Sequence, residues 1–589
     1  MSWGVLGPMA QSQRPSRDNL RETVVDLQPA FPWVISSTHP IHRCGNSFFH
    51  GQLNLYYRQN AKGLFVLAKE DDAQCFHEAY LADGPALARH LEADFAAVFF
   101  NSKTQQLQAF TDPAGVKQLY YSLVNNHFYY AFDLPSLLAI LPHKAPWRKD
   151  KALAFLHSSD APSDATFYEG VSRLLPGQVL NWRPNAELRM GVEHPLLYES
   201  PQNFSKDSDW VEAFHECFMR AVQSRCQKPT TGCMLSGGLD SSSIVGAALY
   251  QRKSQLQTLS CRFPHIPKSD EGEYIEAMVE YGNIKANMVD LQYVDPLANM
   301  GPWLESMAEP HLFVNFYMEY ACLQKAQEVG LSRLLDGMDG DIVVSHGVEL
   351  PMLYFRQGRL GSMWDALKAL GDTFGYSPSR LFNRLVLKPL LPVKLMAWRQ
   401  RHKSHEPPEW EHFFWEKPLN ECELDSPLVT PHPSYNGEHA LTILDLSNNK
   451  IMEAMQSMAR PFGLEIAYPF FDGNLLQLCL HLPPQMKIQH HSTRYVMRAA
   501  MKGYIPEKVR LRNCKSNVGF HLHNSLLQEN HLLIANNLRQ AHPFLREILN
   551  MDKLLEYWMQ CQQDEKIFRL MHIWPVICLN EWLIKQPTS

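Results

Sequence analysis

The segment SGGLDSSS, residues 236–243, constrains the fold of this chain more than any other stretch. The apolar run before it, residues 233–235, is typical of a buried parallel strand, and residues 244–250 continue as a small-residue helix. The segment is therefore predicted to be the turn from a strand into a helix. A turn of this kind indicates an α/β fold in which ligands bind at the carboxyl ends of the strands.

The residue types in this turn suit a nucleotide polyphosphate. The first amides of a helix lack intrahelical partners and point, with the positive end of the helix dipole, at whatever lies in front of them. Two glycines let the backbone approach an anion, the serines add hydroxyl donors, and Asp240 offers a carboxylate for Mg²⁺. No G-x-x-x-x-G-K-[ST] string occurs, so the ordinary P-loop interpretation fails. A serine-capped helix after a glycine turn is the alternative, and the full string disfavours it.

The composition excludes several classes of protein. A chain of 589 residues is too long for one core and indicates two to four domains. With 55 Lys+Arg against 61 Asp+Glu and no dense basic stretch, nucleic acid is not an expected partner. No segment reaches the ~18 apolar residues of a membrane span, and no signal sequence is apparent, so we expect a cytoplasmic protein. The 12 cysteines show neither disulfide nor zinc spacing.

The chain divides into two parts of different character. Residues 31–180 hold short β-rich runs, including FFHGQLNLYYR, FAAVFFN, QLYYSL and HFYYAF, which predict a sheet-based domain. Beyond residues 198–209, strands such as CMLSG, QTLSCRF, ANMVDL and SRLLDG alternate with helices, which predicts a doubly wound parallel sheet. Residues 403–440 are rich in proline and acidic residues and are predicted to be a surface insertion, a lid or a docking loop.

Several segments resemble one family in order and spacing. SGGLDSSS resembles the pyrophosphate-loop motif of ATP pyrophosphatases, and LLDGMDGDIVVSHG, residues 334–347, resembles the second nucleotide motif of asparagine synthetases. GLEIAYPFFDGNLLQLCLHLP, residues 463–483, is similar to the helix-and-loop segment with P-F-[LF]-D, and residues 493–519 resemble the late basic segment. FAAVFFN, TDPAGVKQLYY and TFYEGVSRLLPGQVL resemble the N-terminal domain. The resemblance is to the asparagine synthetase family and covers most of the chain.

This resemblance implies the domains, the cofactors and the reaction. It implies an Ntn-hydrolase-like, glutaminase-like domain at residues 1–200, and at residues 205–589 an ATP-pyrophosphatase domain of adenine-nucleotide α-hydrolase type with a helical C-terminus. In the implied reaction a carboxylate attacks the α-phosphate of ATP with Mg²⁺ as cofactor, pyrophosphate leaves, and an amine then displaces AMP to form an amide.

The resemblance also implies site residues. Asp240 and Asp341 would hold Mg²⁺, and Lys515 would stabilise the charged adenylate. Alone, Lys515 among its basic neighbours is typical of a solvated patch, and the motif order favours the catalytic role. The implied nucleotide-binding residues are Leu235, Ser236, Gly237, Gly238, Asp240, Ser241, Ser242, Ser260 and Gly337.

The N-terminal part departs from the family pattern. Glutamine-dependent members carry a cysteine directly after the initiator Met, but position 2 here is Ser2 and the first cysteine is Cys44. The family's R-G-P-D and N-G-E-I-Y-N segments, which hold glutamine, have no match. The glutaminase-like domain is therefore predicted to be retained but inactive.

The second motif departs as well. Met338 occupies the position at which some relatives have an acid or a tyrosine for proton transfer, and a methionine cannot accept a proton. The general base is therefore unassigned, with Glu309, Asp339 and His346 as candidates by proximity in sequence.

Without a working ammonia source, the amine must come from the substrate. That arrangement resembles β-lactam synthetases and lasso-peptide cyclases, and the D-G-x-D-G-D plus S-H-G variant favours a lasso-peptide macrolactam cyclase. Its expected partners are a peptide or small-molecule carboxylate substrate and a leader peptidase or precursor-delivery protein. Asparagine synthesis from ammonia or glutamine is the alternative within the family. A nucleotide-binding scaffold without activity is the alternative from another class, disfavoured because Asp240, Asp341 and Lys515 are all present.

Overall fold

The structure is a computed structural model. It describes residues 3–6, 22–25, 33–36, 41–59, 65–67, 72–89, 91–157, 164–192, 204–251, 254–267, 269–291, 294–297, 299–391, 437–443, 445–513, 526, 530–561 and 570–586. Within these ranges, no helix combines the length and the hydropathy that crossing a membrane requires.

Two antiparallel sheets form the N-terminal part of the chain. The first sheet has the spatial order Val171–Arg173, Tyr120–Val124, His127–Ala131, Trp3–Leu6, Trp33–Ser36, Glu22–Val25. The second has the order Arg189–Val192, Gln178–Trp182, Gln106–Thr111, Leu91–Asn101, Ser47–Gln59, Ile41–Cys44, with Phe65–Leu67 paired to Ser47–Gln59. The helices of this part are Asp72–Asp83, Leu134–Ile140 and Lys149–Leu156, with a 3-10 helix at Gly84–Arg89.

The two sheets pack face to face between helices. Phe100, Phe128 and Trp182 lie in the core between them and are at most 2% exposed. On the other face of the second sheet, the rings of Phe76 and Phe95 are 4.9 Å apart, which packs the helix Asp72–Asp83 against the strands. Alternating aromatic residues supply both faces of the sheet. The predicted sheet-based, Ntn-hydrolase-like domain is confirmed.

A five-stranded parallel sheet forms the centre of the C-terminal part. Its spatial order is Ile284–Asp290, Leu256–Arg262, Thr231–Met234, Arg333–Leu335, Glu465–Ala467. The order along the chain reverses between Thr231–Met234 and Arg333–Leu335, which are hydrogen-bonded neighbours. Ligands bind at such a switch point in doubly wound sheets, and the doubly wound prediction is confirmed. The strand Glu465–Ala467 was not predicted, because its segment, residues 463–483, was assigned by resemblance to a helix and a loop.

Helices cover this sheet and continue to the C-terminus. Those around the sheet include Asp207–Arg225, Leu239–Gln251, Gly272–Tyr281, Met300–Met307, Phe316–Glu328, Gly340–Val343, Leu350–Arg356, Leu360–Phe374, Pro378–Phe382, Lys388–Leu390, Gly437–Ile443, Leu446–Ala459, Gly473–Leu480, Pro484–Lys487, Tyr495–Ala500 and Glu507–Arg510. The helical C-terminus comprises His531–Arg539, Pro543–Ile548, Met551–Cys561 and Leu570–Ile584. A small hairpin joins Ile488–Gln489 to Ser492–Thr493.

The predicted insertion, residues 403–440, lies outside the described residues except for its last four. Those four begin the helix Gly437–Ile443 instead of continuing a loop, and Ala440 and Ile443 are buried in the large core.

Buried charged groups join the two parts of the chain. Arg225, at the end of the helix Asp207–Arg225, is fully buried and lies 3.5 Å from Asp94 and 3.6 Å from Glu92 of the N-terminal part. Glu465 contacts Lys117 of the N-terminal part at 2.5 Å and Arg333 of its neighbouring strand at 2.7 Å. Because unpaired charges are costly to bury, these contacts fix how the two parts fit together.

Candidate active site

The predicted turn lies between the strand Thr231–Met234 and the helix Leu239–Gln251. Gly237 has a φ of +77°, and a Cβ there would lie 2.8 Å from the Cβ of Tyr274. Both the left-handed backbone and the lack of room require glycine. The backbone therefore turns tightly in front of the helix N-terminus, as the composition of the segment predicts.

Serine side chains brace this loop internally. The backbone N–H of Ser236 donates to Ser241 Oγ at 3.1 Å, and the two hydroxyl oxygens are 2.9 Å apart. The hydroxyls of Ser242 and Ser260 are buried and have no hydrogen-bond partner among the described residues. Buried hydroxyls are normally hydrogen-bonded, so these two point to a polar group that binds here.

The second motif packs directly against the first. A Cβ on Gly337 would lie 2.8 Å from the backbone nitrogen of Ser241, and one on Gly340 would lie 2.9 Å from Asp240 Cγ. Since Gly337 follows the strand Arg333–Leu335, next to Thr231–Met234, the two motifs meet at the switch point of the sheet. The two glycine-containing segments form one continuous surface.

The two candidate metal-binding carboxylates lie at this junction with basic partners. Asp240 Oδ1 is 2.5 Å from Arg494 Nη1, and Asp341 Oδ2 is 3.6 Å from His346 Nε2. Burial lowers the pKa of His346, against the opposing effect of Asp341, so the imidazole is neutral near pH 7. His346 Nδ1 is 3.1 Å from Thr493 Oγ1, which fixes the ring.

The late basic segment supplies two arginines that sequence reasoning missed. Arg494 has a left-handed φ of 55° and is 4% exposed. Because it is buried, its guanidinium has little room to leave Asp240, with which it forms an ion pair. Arg512 donates to the carbonyl oxygen of Gly237 at 3.3 Å and contacts Glu271. The basic segment 493–519 was the available signal, but only the fold shows which of its residues reach the loop. Lys515 lies outside the described residues.

The three candidate general bases lie in different places. Glu309 Oε1 accepts from the backbone N–H of Phe167 at 2.6 Å, and its carboxylate pairs with Arg173, so it faces the N-terminal part. Asp339 has a φ of 56° and begins the helix Gly340–Val343. His346 is the candidate beside the metal-binding pair.

These residues fit a magnesium nucleotide. Two carboxylates lie in the first turns of helices that follow neighbouring strands, and they offer oxygen ligands for Mg²⁺. The glycine surface leaves no room for a Cβ, and the buried hydroxyls of Ser242 and Ser260 can donate to phosphate oxygens. Among the described residues, three or more His, Cys, Asp or Glu side chains nowhere group to hold a metal by themselves.

Comparison with known proteins agrees with this arrangement. Residues 213–584 match the asparagine synthase family, and residues 19–191 match the glutamine amidotransferase domain. Glutamine-hydrolyzing asparagine synthetase 1 of Bacillus subtilis is 21% identical over 79% of this chain and 73% of its own length.

Two fungal relatives match a shorter stretch. Amidase chry2 of Gibberella zeae is 30% identical and amidase chyE of Penicillium rubens 29% identical, each over 39% of this chain. The chain spans 34% of the length of each of these amidases. Since the asparagine synthase match covers more than half of the chain, this protein belongs to the asparagine synthase family, a family of ATP-dependent ligases.

Proposed function

We propose that the protein is an ATP-dependent amide synthase. It adenylates a carboxylate with release of pyrophosphate and then couples the acyl group to an amine with release of AMP. The observation that carries this proposal is the contact of the two nucleotide motifs at the switch point, where Gly337 and Gly340 touch Ser241 and Asp240. Family membership supports the same chemistry.

The proposed roles combine the positions of the described side chains with the family resemblance, on which the role of Lys515 rests alone. The loop amides and the hydroxyls of Ser242 and Ser260 bind phosphate oxygens and the nucleotide. Asp240 and Asp341 would hold Mg²⁺, which would supply positive charge beside the phosphate groups. Lys515 is proposed to stabilise the negative charge of the adenylate and of the tetrahedral species that follows.

The amine is proposed to come from the substrate itself. The family's glutamine-holding segments have no match in this sequence. We therefore propose intramolecular amide formation, with the N-terminal amine of a peptide joined to an Asp or Glu side chain as in lasso-peptide macrolactam cyclases. The proposed partners are a leader peptidase or precursor-delivery protein, and the proposed compartment is the cytoplasm. Small-molecule ring closure of the β-lactam type and asparagine synthesis are the alternatives.

One experiment separates these possibilities. The full chain is incubated with ATP and Mg²⁺ and either a linear peptide with a free N-terminal amine and one internal aspartate, or L-aspartate with ammonium or glutamine. The expected result is AMP, pyrophosphate and loss of one water from the peptide, detected by mass spectrometry. Asparagine formed from ammonium would favour the synthetase alternative, and asparagine from glutamine would also contradict the inactive glutaminase. Release of ADP and phosphate would contradict the adenylation chemistry.

A further inference from the structure

Three polar groups from separate elements converge beside the second motif. Asp336 directly follows the strand Arg333–Leu335, and Tyr468 directly follows the neighbouring parallel strand Glu465–Ala467. The backbone N–H of Asp336 donates to the carbonyl oxygen of Ala467 at 3.0 Å, which brings the two strand ends together. Glu319 comes from the first turn of the helix Phe316–Glu328. The mechanism described above assigns no role to any of these side chains.

The hydrogen bonding of this group is incomplete. Tyr468 is 1% exposed and its hydroxyl has no partner among the described residues. The Oε2 atom of Glu319 is buried and is likewise without a partner there. Asp336 Oδ1 accepts from the backbone N–H of Met338 at 2.7 Å. A buried hydroxyl and a buried carboxyl oxygen that lack partners mark a place where a further polar group or a proton is handled.

The three groups also interact electrostatically. Burial and then the charge of Asp336 raise the pKa of Glu319 to about 8, and burial raises the pKa of Asp336 to about 6. Burial, followed by the charges of Asp336 and Glu319, raises the pKa of Tyr468 well above its ordinary value. Near pH 7 the carboxyl pair therefore shares one proton and carries one negative charge.

Other titratable groups face this cluster. The charges of Asp339 and Asp94 also raise the pKa of Tyr468. Cys322 lies on the same helix as Glu319, and the charges of Glu319 and Asp336 raise its pKa. Cys322 Sγ is 3.3 Å from Cys261 Sγ. The Cys261 contact and burial raise the pKa of Cys322 well above its ordinary value, so it stays a neutral thiol near pH 7. The negative charge of this cluster near neutrality therefore lies on the carboxyl pair.

The cluster adjoins the proposed nucleotide site. Asp336 precedes Gly337, which packs on Ser241 of the phosphate loop. Met338 follows at the position where some relatives have an acid or a tyrosine. Its side chain cannot accept a proton, so this position offers no general base. We propose that Asp336 is the general base that accepts the proton of the attacking amine, with Glu319 and Tyr468 as the buried polar groups beside it. This inference rests on the proposed amide-forming function.

The step balances without any further reactant. The neutral amine nitrogen forms a bond to the carbonyl carbon of the acyl-adenylate. The bond from that carbon to the phosphate oxygen breaks, and AMP leaves with the electron pair. The proton from nitrogen passes to the Asp336 carboxylate and is then released to water.

The test separates adenylation from amide formation in the full chain. Exchange of labelled pyrophosphate into ATP reports adenylation, and mass spectrometry of amide products reports the second step. The probes are L-aspartate with ammonium or hydroxylamine, and a linear peptide with a free N-terminal amine and one internal aspartate. Asp336→Asn is expected to keep the exchange rate within about twofold and to lower amide formation by about 10²-fold or more.

The pH profile distinguishes proton transfer from a structural role. In the wild type, amide formation is expected to rise as the pH passes about 6, and this rise is expected to be absent in Asp336→Asn. Glu319→Gln removes the second carboxyl of the pair and is expected to lower amide formation less than Asp336→Asn does. Tyr468→Phe removes a polar group beside the carboxylate, so the rise is expected to move to higher pH.

A control and a second measurement complete the test. Glu328→Gln, at the exposed end of the same helix, is expected to match the wild type in both assays. Infrared difference spectra at neutral pH are expected to show a protonated carboxyl band that Glu319→Gln lacks. Loss of pyrophosphate exchange in Asp336→Asn, an unchanged pH profile in that variant, or the absence of the infrared band would overturn the inference. A wild type that exchanges no pyrophosphate with any probe would instead contradict the proposed function, and this inference with it.

Discussion

Arg225 and Asp472 form a buried ion pair in which Arg225 Nη1 lies 3.1 Å from Asp472 Oδ2, with side chains 0% and 1% exposed. Asp472 ends the P-F-F-D segment and caps the helix Gly473–Leu480. From the N-terminal part, Glu92 accepts a hydrogen bond from the backbone N–H of Gly473 at 3.0 Å. Phe470 of the same segment reaches Gly340 of the second nucleotide motif. The N-terminal part therefore supports the loop that packs against the candidate nucleotide site.

Replacing Arg225 by methionine is expected to destabilise the whole protein. The change leaves Glu92, Asp94 and Asp472 buried without their shared cation, which costs about 3–5 kcal/mol for a broken buried pair. Urea unfolding followed by circular dichroism measures the loss. Arg356→Met, at an exposed helix end, is the control and is expected to unfold like the wild type. Equal stability of the two variants would show that the buried charges do not hold the parts together.

Deleting residues 1–180 is expected to give insoluble or inactive protein instead of a separate ammonia-dependent enzyme. Arg225 and Arg333 would lose Asp94 and Asn54, their contacts in the N-terminal part, and the core shared by both parts would be exposed. Expression of the truncated chain and assay of pyrophosphate exchange check this. A soluble fragment that exchanges pyrophosphate would contradict it.

Asp240→Asn and Asp341→Asn are each expected to abolish pyrophosphate exchange, because one carboxylate alone leaves the metal and the triphosphate misplaced. Binding of Mn²⁺ in the presence of ATP, followed by electron paramagnetic resonance, is expected to weaken in both variants. The control is Asp365→Asn, an exposed acid on the helix Leu360–Phe374. Normal Mn²⁺ binding in either variant would place the metal elsewhere.

Lys515→Ala is expected to lower the maximal rate by about 10²-fold or more with little change in ATP affinity, since a cation that acts on developing charge contributes to the transition state. Lys515→Arg is expected to restore little, because the guanidinium cannot occupy the position of a point charge. Lys508→Ala removes an exposed lysine that pairs with Glu273 and is the control. A rise in the dissociation constant for ATP at an unchanged maximal rate would assign Lys515 to nucleotide binding.

Glu465 is expected to stabilise the fold in a pH-dependent way. Burial opposes its ionisation, but Lys117 and Arg333 outweigh burial and hold its pKa well below the ordinary value. The stabilisation is thus fully present above the unfolded pKa of about 4.3 and is lost as the pH falls toward the folded pKa. The stability difference between the wild type and Glu465→Gln is expected to be largest near neutral pH and to shrink in acid. Urea unfolding at several pH values checks this, and a pH-independent difference would contradict it.

The sequence predicts local geometry better than the encounters between distant segments. The glycines of SGGLDSSS predict a tight turn, because glycine adopts a positive φ such as that of Gly237 without strain. Nothing near Arg494 in sequence indicates that it reaches Asp240, since that contact depends on how the sheet and the basic segment pack. The sequence around Glu319 does not indicate its unusual surroundings either, because an acid in the first turn of a helix is ordinary. Burial by other elements is what makes it unusual.

The order of strands in the parallel sheet has a consequence for the chain during synthesis. The strand Arg333–Leu335 lies between Thr231–Met234 and Glu465–Ala467, so its outer edge stays open until the ribosome has delivered more than a hundred further residues. During that interval Arg333 lacks Glu465, and an unpaired strand edge is free to join another nascent chain. Slow translation between these two strands should therefore favour aggregates, and a chaperone that shields the open edge should raise the yield of folded protein.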